Sequence, residues 1–134
     1  MIRTPIFALI VLLAGAPSAR AACSNSTMIG SWGYRYTSLD FNLGTFCSGI
    51  GAIKFSSANR AQIIGGKVSC NGMLSSGSGS GTYSMASSCL GAITLVANNG
   101  ATLKYHLTVT NGGKDVDFVL GMNGVTLSGS GKKQ

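Results

Sequence analysis

The chain is 134 residues long, 45% hydrophobic and only 10% charged, with 20 Gly, four Cys, one His and no Glu. That composition suits one small domain, large enough to bury a core and small enough to gain from disulfide staples. It also leaves very few groups able to do acid–base chemistry.

The first segment reads as an export leader. Arg3 supplies a positive start, Pro5 to Ala14 is an apolar run too short to span a bilayer, and Ala19 and Ala21 stand at the positions of an A-x-A cleavage site. Two units are therefore expected: a signal peptide over 1–21 and a single secreted or periplasmic domain over 22–134. Cys23 raises lipidation as an alternative, but Arg20 stands where a lipobox carries an aliphatic residue, so a lipoprotein is not expected. No later segment is long and apolar enough for a transmembrane helix. Beyond Ala21 there are eight basic residues against Asp40, Asp115 and Asp117, a formal charge of +5. The cations are scattered, with only Lys132 and Lys133 adjacent, which suits a soluble basic surface. Nucleic-acid binding would want clustered Arg with exposed aromatics, and is not expected.

Strands follow from period-2 alternation bounded by turn residues. The first spans about Gly30 to Leu39, with Trp32, Tyr34 and Tyr36 on one face. The next two, about Phe46 to Phe55 and Arg60 to Cys70, are joined at Ser57 to Asn59. The Gly/Ser run Ser75 to Gly81 reads as a mobile hairpin tip, and a fourth strand covers Gly79 to Ala86 around Tyr83. The fifth is Leu90 to Ala97. After Asn98-Asn99-Gly100 comes the clearest alternation, Ala101 to Thr110, with Leu103, Tyr105, Leu107 and Val109 opposite Lys104, His106 and Thr108. Lys114 to Met122 and Val125 to about Gly131 complete the series, with Phe118 on the apolar face. No stretch after the leader has sustained helical periodicity.

Eight antiparallel strands on short turns remove their exposed edges by closing on themselves. The expected fold is all-β, an eight-stranded antiparallel up-and-down barrel, with a two-sheet sandwich as the alternative. Glycines inside the strands, at 33, 49, 51, 65, 66, 91 and 129, permit the bends that closure needs. In an up-and-down order Cys47 and Cys70 fall at one end of adjacent strands, and Cys23 and Cys89 at the other. Disulfides Cys47–Cys70 and Cys23–Cys89 are therefore predicted, as an exported chain allows. With no C-x-x-C pair and a single His, no metal site is expected, and no motif calls for a cofactor.

The order Gly81-Thr82-Tyr83-Ser84, then Cys89-Leu90-Gly91-Ala92-Ile93-Thr94-Leu95, then Gly112-Gly113-Lys114-Asp115-Val116-Asp117-Phe118, then Ser128-Gly129 and a basic end, resembles small exported bacterial β-barrel proteins of calycin-like or allene-oxide-cyclase-like kind. The resemblance implies a barrel with an apolar lumen. It transfers no catalytic residue, because no active-site motif of those families stands here.

Two groups of residues could carry function. If Asn111-Gly112 makes a two-residue turn, His106 faces Asp117 and the pair could act as a base; a four-residue loop would put His106 opposite Val119 and abolish it. Either way the pair lies on the polar face, and no catalytic residue is assigned. The aromatic set Trp32, Tyr34, Tyr36, Tyr83, Tyr105 and Phe118 could line a cavity for a small apolar or aromatic ligand. Facing outward, the same rings could stack on glycan; packed together, they are only core. Three functions stay open: a binding barrel, a cofactor-independent cyclase or isomerase in which a Tyr or Arg35 polarises substrate, and an envelope-associated structural or glycan-binding protein.

Overall fold

A computed structural model describes residues 22–134. The leader expected over 1–21, with its cleavage site, lies outside the described residues. A single helical turn, α1 (Asn25–Met28), precedes nine strands: β1 (Gly30–Asp40), β2 (Thr45–Ser56), β3 (Arg60–Cys70), β4 (Met73–Gly77), β5 (Gly79–Met85), β6 (Leu90–Ala97), β7 (Thr102–Thr110), β8 (Asp115–Met122) and β9 (Val125–Lys133). All pairings are antiparallel. The ring closes because β1 pairs with β2 on one side, Trp32 opposite Ile53, and with β9 on the other, Trp32 opposite Lys133. Eight strands thus form a closed barrel, and the sandwich alternative is set aside.

The ninth strand, β4, is the departure from expectation. Residues 75–81 are not a mobile tip but wall. Asn71 and Gly72, both at positive φ, turn the chain tightly after β3, and Met73 to Gly77 then pair back along it, Met73 opposite Cys70 and Gly77 opposite Gly66. The chain steps at Ser78 and continues as β5, which pairs with the start of β3 and with β6. β4 itself hydrogen-bonds to β3 alone, so the wall has a seam above the Gly79–Ala97 pair.

A β-bulge in β3 reverses its faces. Gly51 pairs with Gly66 but Ile53 with Ile63, so Ile64 and Gly65 together oppose Ala52. Ala61 and Ile63 point inward before the bulge, Gly66 and Val68 after it. Gly65, at φ +146°, takes the conformation that a side chain would resist.

The base of the barrel is plugged. Met28 and Trp32 are the most deeply buried large side chains, and the Trp32 indole Nε1–H donates to the Met28 carbonyl at 2.9 Å. Phe55, Ala61, Ile93, Leu107, Val109 and Val116 pack around them as a continuous core. The Asn25 side chain locks α1 to the barrel: its Oδ1 accepts from the Met85 amide and its Nδ2 donates to Asn59 Oδ1. Disulfide Cys23–Cys89 holds the same end, and Cys47–Cys70 joins directly opposed residues of β2 and β3 at the other. Both expected pairings are thus present, at opposite ends of the barrel, and the Cys23 sulfur is taken up by one of them.

Candidate functional site

Above the filled base the lumen is hollow. A cavity of about 210 Å³ runs from Trp32 and Met28 up to Gly77, Ser78 and Gly79 at the seam. The small volume follows from strand number, since eight strands enclose a space that side chains can nearly fill. It is left open because glycines stand where wall side chains would otherwise meet. Gly49 and Gly129 flank Tyr36 from both neighbouring strands, and Gly51 and Gly131 flank Tyr34 in the same way. A Cβ at Gly51 would lie 2.5 Å from the Tyr34 hydroxyl and 2.6 Å from the Gly65 carbonyl oxygen, so only glycine fits there.

Of the aromatic set, Trp32, Tyr34, Tyr36, Tyr105 and Phe118 line this cavity. Tyr34 and Tyr36 lie nearly parallel, with centroids 6.3 Å apart and an interplanar angle of 22°. Tyr105 and Phe118 meet edge to face at 6.0 Å. Tyr83 shares their face of the sheet but not their height. It sits at the base, edge-on to Phe55, and its hydroxyl donates to the carbonyls of Ser56 (2.9 Å) and Asn25 (3.3 Å), so it serves the plug. The rings do not face outward, and the glycan-stacking use of this stripe falls; among the described residues the exposed aromatics are Phe41 and Phe46.

No Asp, Lys, Arg or His lines the cavity. Its ionisable groups are phenol hydroxyls, and burial pushes their pKa values up. Tyr105 is raised to about 12, first by desolvation and then by its neighbours Tyr36 and Tyr34, while Tyr34 and Tyr36 are raised chiefly by burial. All three stay protonated at neutral pH and can both donate and accept a hydrogen bond. Arg35 lies on the outer face, between Ile50 and Ser130, and cannot polarise anything inside.

The His106–Asp117 pair does not form. Asn111, Gly112 and Gly113 all take positive φ in a tight turn, and Lys114 N–H reaches back to Thr110, making a four-residue loop. Thr110 then pairs with Asp115, Thr108 with Asp117 and His106 with Val119. Among the described residues no cluster of three metal-ligating side chains occurs, and no helix is long and apolar enough to cross a membrane.

No family model and no curated protein matches the sequence. Similar solved structures exist. A de novo designed fluorescence-activating β barrel is 18% identical, with a TM-score of 0.56 over 82% of this chain and 96% of that one. A redesigned β barrel is 16% identical, with a TM-score of 0.57 over 89% and 99%. Another redesigned barrel, bound to DFHBI, is 15% identical, with a TM-score of 0.54 over 86% and 100%. At these identities the likeness is one of fold.

Proposed function

We propose that the protein is an exported binding barrel that holds a small apolar or aromatic molecule in its lumen, with Trp32, Tyr34, Tyr36, Tyr105 and Phe118 as the contacting set. The observation that carries this is the lumen cavity of about 210 Å³ with aromatic and aliphatic walls and no charged lining. A ligand there exchanges water for dispersion contacts with the rings and aliphatic side chains. The reading agrees with the resemblance to calycin-like barrels, and with the redesigned barrel of the same fold that is bound to DFHBI. The two disulfides suit an oxidising compartment such as the periplasm or the cell exterior. A cyclase role has less behind it, since Arg35 is outside and only the phenols are left to act on a bound molecule.

Native mass spectrometry of the oxidised protein, followed by titration with naphthalene, tests the reading. The expected result is a copurified small molecule or saturable one-to-one naphthalene binding, lost in a Leu103→Trp variant whose indole occupies the void. A clean mass together with no saturable binding of naphthalene or of its hydroxyl and carboxyl derivatives would remove the proposal.

A further inference from the structure

The lumen contains enough specific chemistry to narrow the ligand class. This step rests on the binding reading above and adds to it.

Size comes first. An apolar cavity of roughly 150 Å³ admits a single benzene ring, whereas drug-sized pockets begin at roughly 300 Å³. At about 210 Å³ the lumen falls between them, which fits a molecule of one or two fused rings. The walls are flat: the near-parallel Tyr34–Tyr36 pair on β1, and the Tyr105–Phe118 pair contributed by β7 and β8. Ring faces and edges of this kind favour a planar partner.

Charge comes second. With no ionisable lining other than phenols, an anion or cation entering the lumen would lose its hydration and gain no counter-charge, a cost that excludes ions from unpaired interiors.

The hydroxyls come third. Tyr83 shows how this protein treats a phenol used only for structure, with two carbonyl acceptors close by. Tyr34, Tyr36 and Tyr105 have no such partner among the described residues, yet none of their oxygens is sealed away from solvent-sized space. They face the void. Each hydroxyl can rotate to donate to, or accept from, a polar atom of a bound molecule. A purely apolar ligand would displace water from these groups and leave them unmatched, and sites of that kind discriminate against analogues lacking the polar atom.

We infer that the lumen selects an uncharged, planar, one- or two-ring molecule bearing a hydroxyl or carbonyl group, which the hydroxyls of Tyr34, Tyr36 and Tyr105 recognise. The three tyrosines then divide the work with the apolar wall: Phe118, Leu103 and Ile63 hold the rings, and the phenols fix their orientation.

Isothermal titration of the oxidised protein at neutral pH with naphthalene, β-naphthol and β-naphthoate separates the possibilities, because the three share one ring system. β-Naphthol should bind about 5–10-fold more tightly than naphthalene, the worth of one good hydrogen bond. β-Naphthoate should bind at least about tenfold more weakly than β-naphthol, reflecting an unpaired charge. Tyr34→Phe, Tyr36→Phe and Tyr105→Phe, each of which keeps the ring, should bring naphthol and naphthalene closer together in at least one variant. Equal affinity for naphthalene and β-naphthol would overturn the polar recognition while leaving the binding barrel standing, and so would a preference for β-naphthoate. If none of the three probes binds, the binding reading itself fails and this inference with it. The wild-type series decides the matter even where a variant folds poorly.

Discussion

The ring of Tyr36 occupies the space that a side chain at its cross-strand partner Gly49 would need: a Cβ there would run into Tyr36 Cε1 and lie 2.7 Å from the hydroxyl oxygen. What happens on substitution depends on whether the obstructing atoms can move. Tyr36 is half-buried and borders an open cavity, so its ring can swing inward. At Gly81 the obstruction is the Thr94 carbonyl, held in the β5–β6 ladder, with Thr94 C only 2.8 Å away. Gly49→Ala should cost about 1 kcal/mol, part of the clash being offset by a stiffer unfolded chain, whereas Gly81→Ala should cost about 3 kcal/mol or more. Urea unfolding of the two variants checks the order; equal losses would mean that the cavity gives Tyr36 no room.

Burial of Tyr105 links the lumen to pH. Its phenol titrates at about 12 in the folded chain against 10.0 for the free group. Above pH 10 the unfolded chain gives up this proton while the folded chain keeps it, so the stabilising contribution is complete below pH 10 and is lost as pH rises towards 12. Phenolate absorbance should show a last step near the upper value that Tyr105→Phe removes. Loss of an earlier step instead would mean that Tyr105 is in contact with water in solution.

Alternation along the strands made the barrel, its inward faces and both disulfides legible, because an up-and-down order fixes which ends meet. Alternation assigns a face, however, and not a height on the barrel axis. Tyr83 and Tyr105 are equivalent by period, yet one anchors the base and the other lines the void. β4 was hidden because Ser75 to Gly77 carries no apolar alternation; its strand comes from the Asn71-Gly72 turn and from bonding to β3. The inward glycines were visible as residues, but only the pairing shows that they sit beside Tyr34 and Tyr36 and so keep the lumen open.

His106 is a case where turn geometry outweighs residue type. Opposite Val119, exposed on the outer face of β7, it has no side-chain hydrogen bond among the described residues. His106→Ala should change stability by no more than about 0.5 kcal/mol and leave lumen binding as it was. A loss of binding would place the ligand outside the barrel.

The two disulfides should differ in what their removal exposes. Cys23–Cys89 closes a sequence separation of 66 and Cys47–Cys70 one of 23, so loop-closure entropy makes the first worth about 4 kcal/mol and the second about 3 kcal/mol. The sharper difference is local. Cys23 tethers the four-residue α1, too short to be stable alone, and α1 carries Met28 over Trp32, the only tryptophan in the chain and fully buried. In a Cys23→Ser/Cys89→Ser variant the plug keeps its packing and its hydrogen bonds through Asn25, Tyr83, Trp32 and Lys133 but loses its covalent tether. Its Trp32 emission should shift to the red in mild denaturant before the barrel unfolds. In Cys47→Ser/Cys70→Ser the plug keeps its covalent tether, and emission should change only with global unfolding. Coincident transitions in both variants would show that the base is held by packing alone, with Cys23–Cys89 acting only through the unfolded chain.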